Sequence, residues 1–223
     1  MDVAANLDRV RSNIVQACQK NGRNPDEITI IGVTKYVTIE RTKETINAGI
    51  KNLGENRLDG FLEKYNAITD KAAWHFIGTL QSRKVKEVID KVDAIHSLDR
   101  LSLAKEINKR AEQPVDCFIQ VNVSGEETKH GLHPDKVLAF IKDVERFENV
   151  RITGLMTMAP HVEDEDQLRS IFRELASLRS MVKGENLLHA PCEHLSMGMS
   201  NDYQIAVEEG ATHIRIGSKL VGS

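Results

Sequence analysis

Ile28-Thr-Ile-Ile-Gly-Val-Thr-Lys35 is a short β-branched run that ends on a lysine. Isoleucine and valine fit a pleated strand, and the absence of polar alternation predicts a strand covered on both faces, as in parallel sheets. Lys35 then stands at the strand's C-terminal end, which faces the binding site in a parallel α/β protein. A partly desolvated lysine there sheds its charge and becomes a nucleophile able to form an imine. The plainer alternative is a surface lysine whose stem lies over the strand end.

Outward from this run, the pattern is regular. Before it, Val3, Leu7, Val10, Ile14 and Ala17 recur at steps of three and four, predicting a helix over residues 2 to about 21 that ends at Asn21-Gly22. After it, Thr38 caps a helix that ends at Ala48-Gly49. Seven more apolar runs read as strands: Asn52–Glu55, Trp74–Ile77, Ala94–Ser97, Val115–Val123, Ile152–Met156, His194–Ser196 and His213–Ile216. Helical patterns lie between them. The longest carries Leu168, Ile171, Phe172, Leu175, Leu178 and Met181 on one face, and the acidic Glu163–Asp166 starts it, where negative charge suits the helix dipole. The last runs from about Asn201 to Glu209. Eight strands alternating with helices predict a single α/β domain over residues 1–223, a (β/α)8 TIM barrel. An open doubly wound sheet is the alternative.

Composition narrows the function. The chain has 223 residues, 40% hydrophobic and 28% charged, with a formal net charge of -3, which gives no pull towards nucleic acid or an anionic membrane. At 4% aromatic, it lacks stacking platforms for single strands, so Arg83-Lys-Val-Lys86 reads as a solvated helix face. Cys18, Cys117 and Cys192 are odd in number and widely spaced, as free thiols in a reducing compartment would be. No apolar run approaches the length of a membrane span, and the N-terminus is too charged for a signal peptide, so the cytoplasm is expected.

In a barrel, the C-terminal strand ends build the site. Here they carry Lys35, Glu55-Asn56, Gly78, Ser97, Asn122, Met156, Ser196 and Arg215-Ile-Gly217. Loops after strands seven and eight commonly hold a phosphate. Ser200 sits where a helix N-cap belongs, and Gly217-Ser218 supplies close approach and a hydroxyl. Taken singly, Ser200 is a cap and Gly217 a turn residue. Together with Lys35 they outline a ligand with an aldehyde at one end and a phosphate at the other.

Six segments carry a resemblance: Val33-Thr-Lys35, Gly54-Glu-Asn56, Trp74-His-Phe-Ile-Gly-Thr-Leu-Gln-Ser82, Gly154-Leu-Met156, Leu195-Ser-Met-Gly-Met-Ser200 and Arg215-Ile-Gly217. In this order, over nearly the whole chain, they resemble the pyridoxal phosphate homeostasis protein family (YggS/PROSC type), whose fold is similar to the N-terminal barrel of alanine racemase (fold type III). The resemblance implies that Lys35 holds pyridoxal 5'-phosphate (PLP) covalently as an internal aldimine, with phosphate contacts from Ser200, Gly217 and Ser218. It places Arg215 at the pyridine nitrogen and Asn56, Ser97, Met156 and Met199 around the ring. It implies intracellular PLP homeostasis and delivery, with PLP-dependent apoenzymes as transient recipients. One departure is Thr79, where the family often has proline, and a changed loop is expected.

Arg215 sharpens the reading. Enzymes that use the ring as an electron sink usually place a carboxylate at its nitrogen, whereas a guanidinium cannot accept that proton. Alanine racemase shares this arrangement, so Arg215 alone does not exclude catalysis. The sequence stops at Ser223, shortly after the eighth strand, and the racemase's C-terminal β domain, with its tyrosine acid/base, is not in it. Tyr65 and Tyr203 fall in helices, and Tyr36 beside Lys35 has no evident orienting partner. A monomeric, non-catalytic carrier is expected; the alternative is a racemase-like enzyme of low activity.

Lys129, in the loop Glu126–Gly131, is either a second capture site for the cofactor or a solvated lysine. A Schiff-base aldolase would carry its lysine on a later strand, and Gly154–Met158 has none. His189-Ala-Pro-Cys-Glu-His194 offers three metal ligands at a spacing that matches no strong zinc pattern, so loop packing is preferred. His75, beside Trp74, reads as a core histidine.

Overall fold

In a computed structural model of the chain, residues 2–68, 72–126 and 130–222 are described. Helix α1 (Val3–Lys20) leads into strand β1 (Thr29–Val33). There follow α2 (Ile39–Asn47), β2 (Asn52–Glu55), α3 (Leu58–Ala67), β3 (Ala73–Phe76), α4 (Val85–Val88), β4 (Ala94–Leu98), α5 (Leu101–Arg110) and β5 (Val115–Gln120). The second half comprises α6 (Pro134–Val144), β6 (Val150–Met156), α7 (Glu165–Gly184), β7 (His194–Met199), α8 (Tyr203–Glu208), β8 (His213–Ile216) and α9 (Ser218–Val221). All strands are parallel, each pairs with its sequence neighbours, and β1 closes on β8 with Ile31 opposite Arg215. That last pairing removes the open-sheet alternative.

The strands form because both faces are covered. Outward residues such as Leu53, Trp74, Ile95 and Leu155 join helix residues such as Phe61, Ile107, Ile141 and Phe172 in one apolar layer around the barrel. The lumen is different. His75, His96, His194 and His213 meet there around Phe118, while Met156 and Ala94 form a separate small apolar cluster with that phenylalanine.

Several local expectations hold. Asn21 is the C-cap of α1 and Gly22 follows at φ +63, Thr38 accepts the Arg41 N–H at the start of α2, and Asp164 caps α7. Others do not. Met181 is 56% exposed, because the buried stripe of α7 steps four residues from Leu178 to Val182. Strand β5 ends at Gln120 rather than Val123, where the backbone turns aside and Leu132 N–H bonds the Gln120 carbonyl. No helix among the described residues is long and apolar enough to cross a membrane.

Candidate functional site

The C-terminal ends of the strands enclose a cavity of about 770 Å³. Its wall includes Lys35, Asn56, Met199, Ser200, Arg215, Gly217 and Ser218, seven of the nine residues expected there. Ser97 and Met156 do not line it. Ser97 is buried with its hydroxyl unpartnered, and Met156 lies lower in the lumen against Phe118 and Ala94.

Lys35 lies on the cavity wall in an exposed turn. Strand β1 stops at Val33, and Lys35 sits beyond it as an exposed residue in a turn closed by Val37 N–H and the Thr34 carbonyl, 3.1 Å apart. Its Nζ lies 4.7 Å from the ring centroid of Tyr36, itself 69% exposed. The turn is anchored from below. Thr34 Oγ1 donates to Glu55 Oε1 at 2.6 Å, and Lys64 Nζ donates both to that carboxylate oxygen, at 2.7 Å, and to the Thr34 carbonyl.

Arg215 is the opposite case, 4% exposed and held on two sides. Nη1 donates to Ser196 Oγ at 2.7 Å and Nη2 to the Thr157 carbonyl at 2.8 Å. Burial lowers its pKa to about 10, partly offset by the Asp202 carboxylate, so the guanidinium stays charged at neutral pH.

Behind Arg215 a chain of hydrogen bonds crosses the lumen. Ser196 Oγ lies 2.9 Å from His96 Nδ1, His96 Nε2 lies 2.9 Å from His75 Nδ1, and His75 Nε2 lies 3.1 Å from Asn52 Oδ1. A neutral imidazole has one donor and one acceptor nitrogen. With Asn52 Oδ1 as the last acceptor, every bond points one way: Arg215 to Ser196, to His96, to His75, to Asn52. Burial keeps both histidines neutral, lowering the His75 pKa to about 4 and that of His96 well below its ordinary value.

Ser200 is not the N-cap expected of it. Asp202 occupies the N-cap position of α8 without a side-chain capping bond, its carboxylate taking the Met199 N–H instead, and Ser200 faces the last turn of the chain. Ser200 Oγ accepts the Gly217 N–H at 3.2 Å and lies 3.5 Å from the Lys219 nitrogen. A Cβ built at Gly217 would approach Val33 no closer than 3.6 Å, so packing alone does not require glycine at that wall.

These residues fit pyridoxal phosphate by their own chemistry. Asn56 Oδ1 is buried, lines the cavity and lacks a partner. Backbone N–H groups and hydroxyls gather near Ser200, an amine stands near Tyr36, and a fixed guanidinium lies on the wall. Met158, Pro160 and His161, also on the wall, escaped the sequence reading because it stopped at the end of strand six. Lys129 falls outside the described residues. In the His189–His194 stretch, His189 Nε2 bonds the Ile141 carbonyl at 2.9 Å, Cys192 is fully buried, and His194 turns into the lumen.

Comparison with known proteins follows the same line. Residues 5–223 match the family model described as alanine racemase, N-terminal domain. The chain is 44% identical over 226 residues to the pyridoxal phosphate homeostasis protein of Aquifex aeolicus, covering 100% of this chain and 98% of that one. The family is settled by that match. The chain belongs to the pyridoxal phosphate homeostasis protein family. The Schizosaccharomyces pombe member is 37% identical over 223 residues, covering 97% of this chain and 91% of its own length. Among solved structures, PipY of Synechococcus elongatus with PLP bound superposes with a TM-score of 0.85 at 28% identity, covering 99% of this chain and 100% of that one.

Proposed function

We propose that this protein binds PLP in the cavity at the C-terminal mouth of the barrel and serves intracellular PLP homeostasis as a carrier that takes up and hands on the cofactor. The observation that carries the reading is the convergence of Lys35, the Ser200–Gly217 contact and the buried Arg215 on one cavity, in a chain of this family. The cofactor supplies an electrophilic aldehyde and an electron-accepting ring.

The chain's own groups divide the remaining work. Lys35 provides the amine for a covalent C=N link. Ser200, Ser218 and the Gly217 N–H are the phosphate contacts, with the small wall at Gly217 allowing close approach. Arg215, held in place by the Ser196 hydroxyl and the Thr157 carbonyl, faces the ring nitrogen with N–H donors to spare, so it disfavours a proton there and leaves the ring a poor electron sink. Asn56, with Ser97 and Met156 behind the wall, completes the surroundings of the ring.

Racemisation needs a second proton carrier aimed at the substrate. Besides Lys35, Tyr36 and His161 are the proton carriers on the wall, and no hydrogen bond orients either side chain among the described residues. This favours a carrier over a racemase-like enzyme, working in the cytoplasm as a monomer with apoenzymes as recipients. The test is a visible absorption spectrum of protein mixed with PLP and then freed of unbound cofactor by gel filtration. A yellow band in the unmodified protein and none in Lys35→Ala supports the reading. A band of equal strength in both, or rapid racemase turnover on free alanine, refutes it.

A further inference from the structure

We propose that Glu55 and Lys64 are positioning residues for Lys35: their buried ion pair, acting through Thr34, holds the turn that presents the Lys35 amine to the cavity. This rests on reading Lys35 as the cofactor-bearing amine.

The first observation is that nothing aims the Lys35 side chain directly. Its Nζ has only the neighbouring Tyr36 ring, and that ring is itself largely exposed. Placement is therefore left to the backbone. The second is that the backbone just before it is held by an unusual device. Thr34 is fully buried, and its hydroxyl and carbonyl are both bound to the Glu55–Lys64 pair. The Thr34 N–H is taken as well, by the Gly54 carbonyl at 3.2 Å.

Lys64 lies inside α3 and is 4% exposed, and Glu55 is 1% exposed. A buried ion pair seldom stabilises a fold better than apolar residues of the same volume, because desolvation offsets the attraction. A leucine or methionine at position 64 would serve packing as well. What lysine adds is a donor that reaches 30 residues back to one carbonyl, the carbonyl that also closes the turn onto Val37 N–H. The pair also flanks the cavity twice. Thr34 precedes Lys35 and Glu55 precedes Asn56, so one buried charge pair sets the backbone ahead of two wall residues.

The chemistry that depends on this placement is condensation with an aldehyde. The unprotonated Lys35 amine attacks the carbonyl carbon, the C–N bond forms, and the carbonyl oxygen leaves as water with the two amine protons, giving C=N. Misplacing the amine by about 1 Å slows such a step by up to about a hundredfold while leaving contacts elsewhere in the site intact.

The test separates link formation from binding. Pyridoxine 5'-phosphate has an alcohol in place of the aldehyde, so its affinity reads the phosphate and ring contacts alone. Stopped-flow growth of the yellow band with PLP reads the Lys35 reaction. In Glu55→Leu/Lys64→Met, pyridoxine 5'-phosphate affinity is expected to stay within about twofold while the PLP rate falls by about tenfold or more. Thr34→Val, nearly isosteric and lacking only the hydroxyl bond, is expected to slow the rate several-fold. It carries the test if the double variant fails to fold, as read by near-ultraviolet circular dichroism. A rate equal to that of the unmodified protein, in whichever of these variants folds, overturns the inference. Equal losses of rate and of pyridoxine 5'-phosphate affinity overturn it too, since they mark general damage to the barrel. Absence of any yellow band in the unmodified protein is a different failure, of the site reading itself.

Discussion

Mild acid should destabilise this barrel from the inside. Burial is the main cause of the low pKa values of the lumen histidines: about 4 for His75, about 3 for His213 and well below the ordinary value for His96. Neighbouring histidines and Arg215 lower His96 and His213 further, while Asp93 and Asp116 partly offset the effect at His75. In the unfolded chain each titrates near about 6.5. Between these values the unfolded chain binds more protons than the native one, so stability is fully present above about pH 6.5 and drains away as the pH falls. From pH 7.5 to 5.5 each of these three histidines costs on the order of 1 kcal/mol, and together they cost a few kcal/mol. That window lies above the ordinary carboxylate range, so acidic groups add little. Protonation would also set N–H against N–H between His75 and His96, which lie 2.9 Å apart. Urea unfolding followed by Trp74 fluorescence at pH 7.5 and 5.5 measures the effect. With a slope of about 2–3 kcal/mol per molar urea, the midpoint should fall by about 1.5 M. His96→Gln should show about two-thirds of that drop, because one titrating group is gone. A midpoint that does not move between the two pH values refutes the picture of neutral lumen imidazoles.

Other outcomes follow from single contacts. Lys64→Met alone leaves the Glu55 carboxylate buried and unpaired and should cost about 3–5 kcal/mol, with the double apolar variant costing far less; urea curves at pH 7.5 compare them. Ser196→Ala removes the acceptor of Arg215 Nη1 and should cost about 1–3 kcal/mol, read in the same way. Gly154→Ala would put a Cβ 2.3 Å from the His194 carbonyl oxygen, pushing β6 off β7, and should lower stability by about 3 kcal/mol. The three thiols are buried, and burial pushes Cys192 to about 12 and Cys18 and Cys117 upward, so a coloured disulfide reagent should label them at the rate of unfolding rather than at once.

The barrel was legible because parallel strands covered on both faces must be nearly all apolar. Runs such as Ile28–Val33 and Val115–Ile119 have few other uses. The wall was legible because strand ends point to one rim, which is how Lys35, Asn56, Arg215 and Gly217 could be named together. What the sequence hid was pairing. His75, His96, His194 and His213 sit one to a strand, and only closure of the sheet brings them into one lumen. The Thr157 carbonyl that holds Arg215 is backbone and leaves no trace in residue type. Lys64 carries no signal in the sequence, since nothing local shows that its amine turns inward to Glu55. Ser200 misled for another reason: two residues able to cap a helix stand close together, and the helix starts after Asp202, two residues later than Ser200 would have it.

That outcome at Ser200 bears on how readily the mouth of the barrel can let go of what it holds. With Gly217 N–H resting on the serine oxygen, the phosphate proposed to bind there would exchange one acceptor for another and add little that was missing. On departure, the amide falls back onto its resident hydroxyl instead of being stranded. Such a swap trades tightness of grip for speed of turnover, the balance expected of a depot rather than a vault.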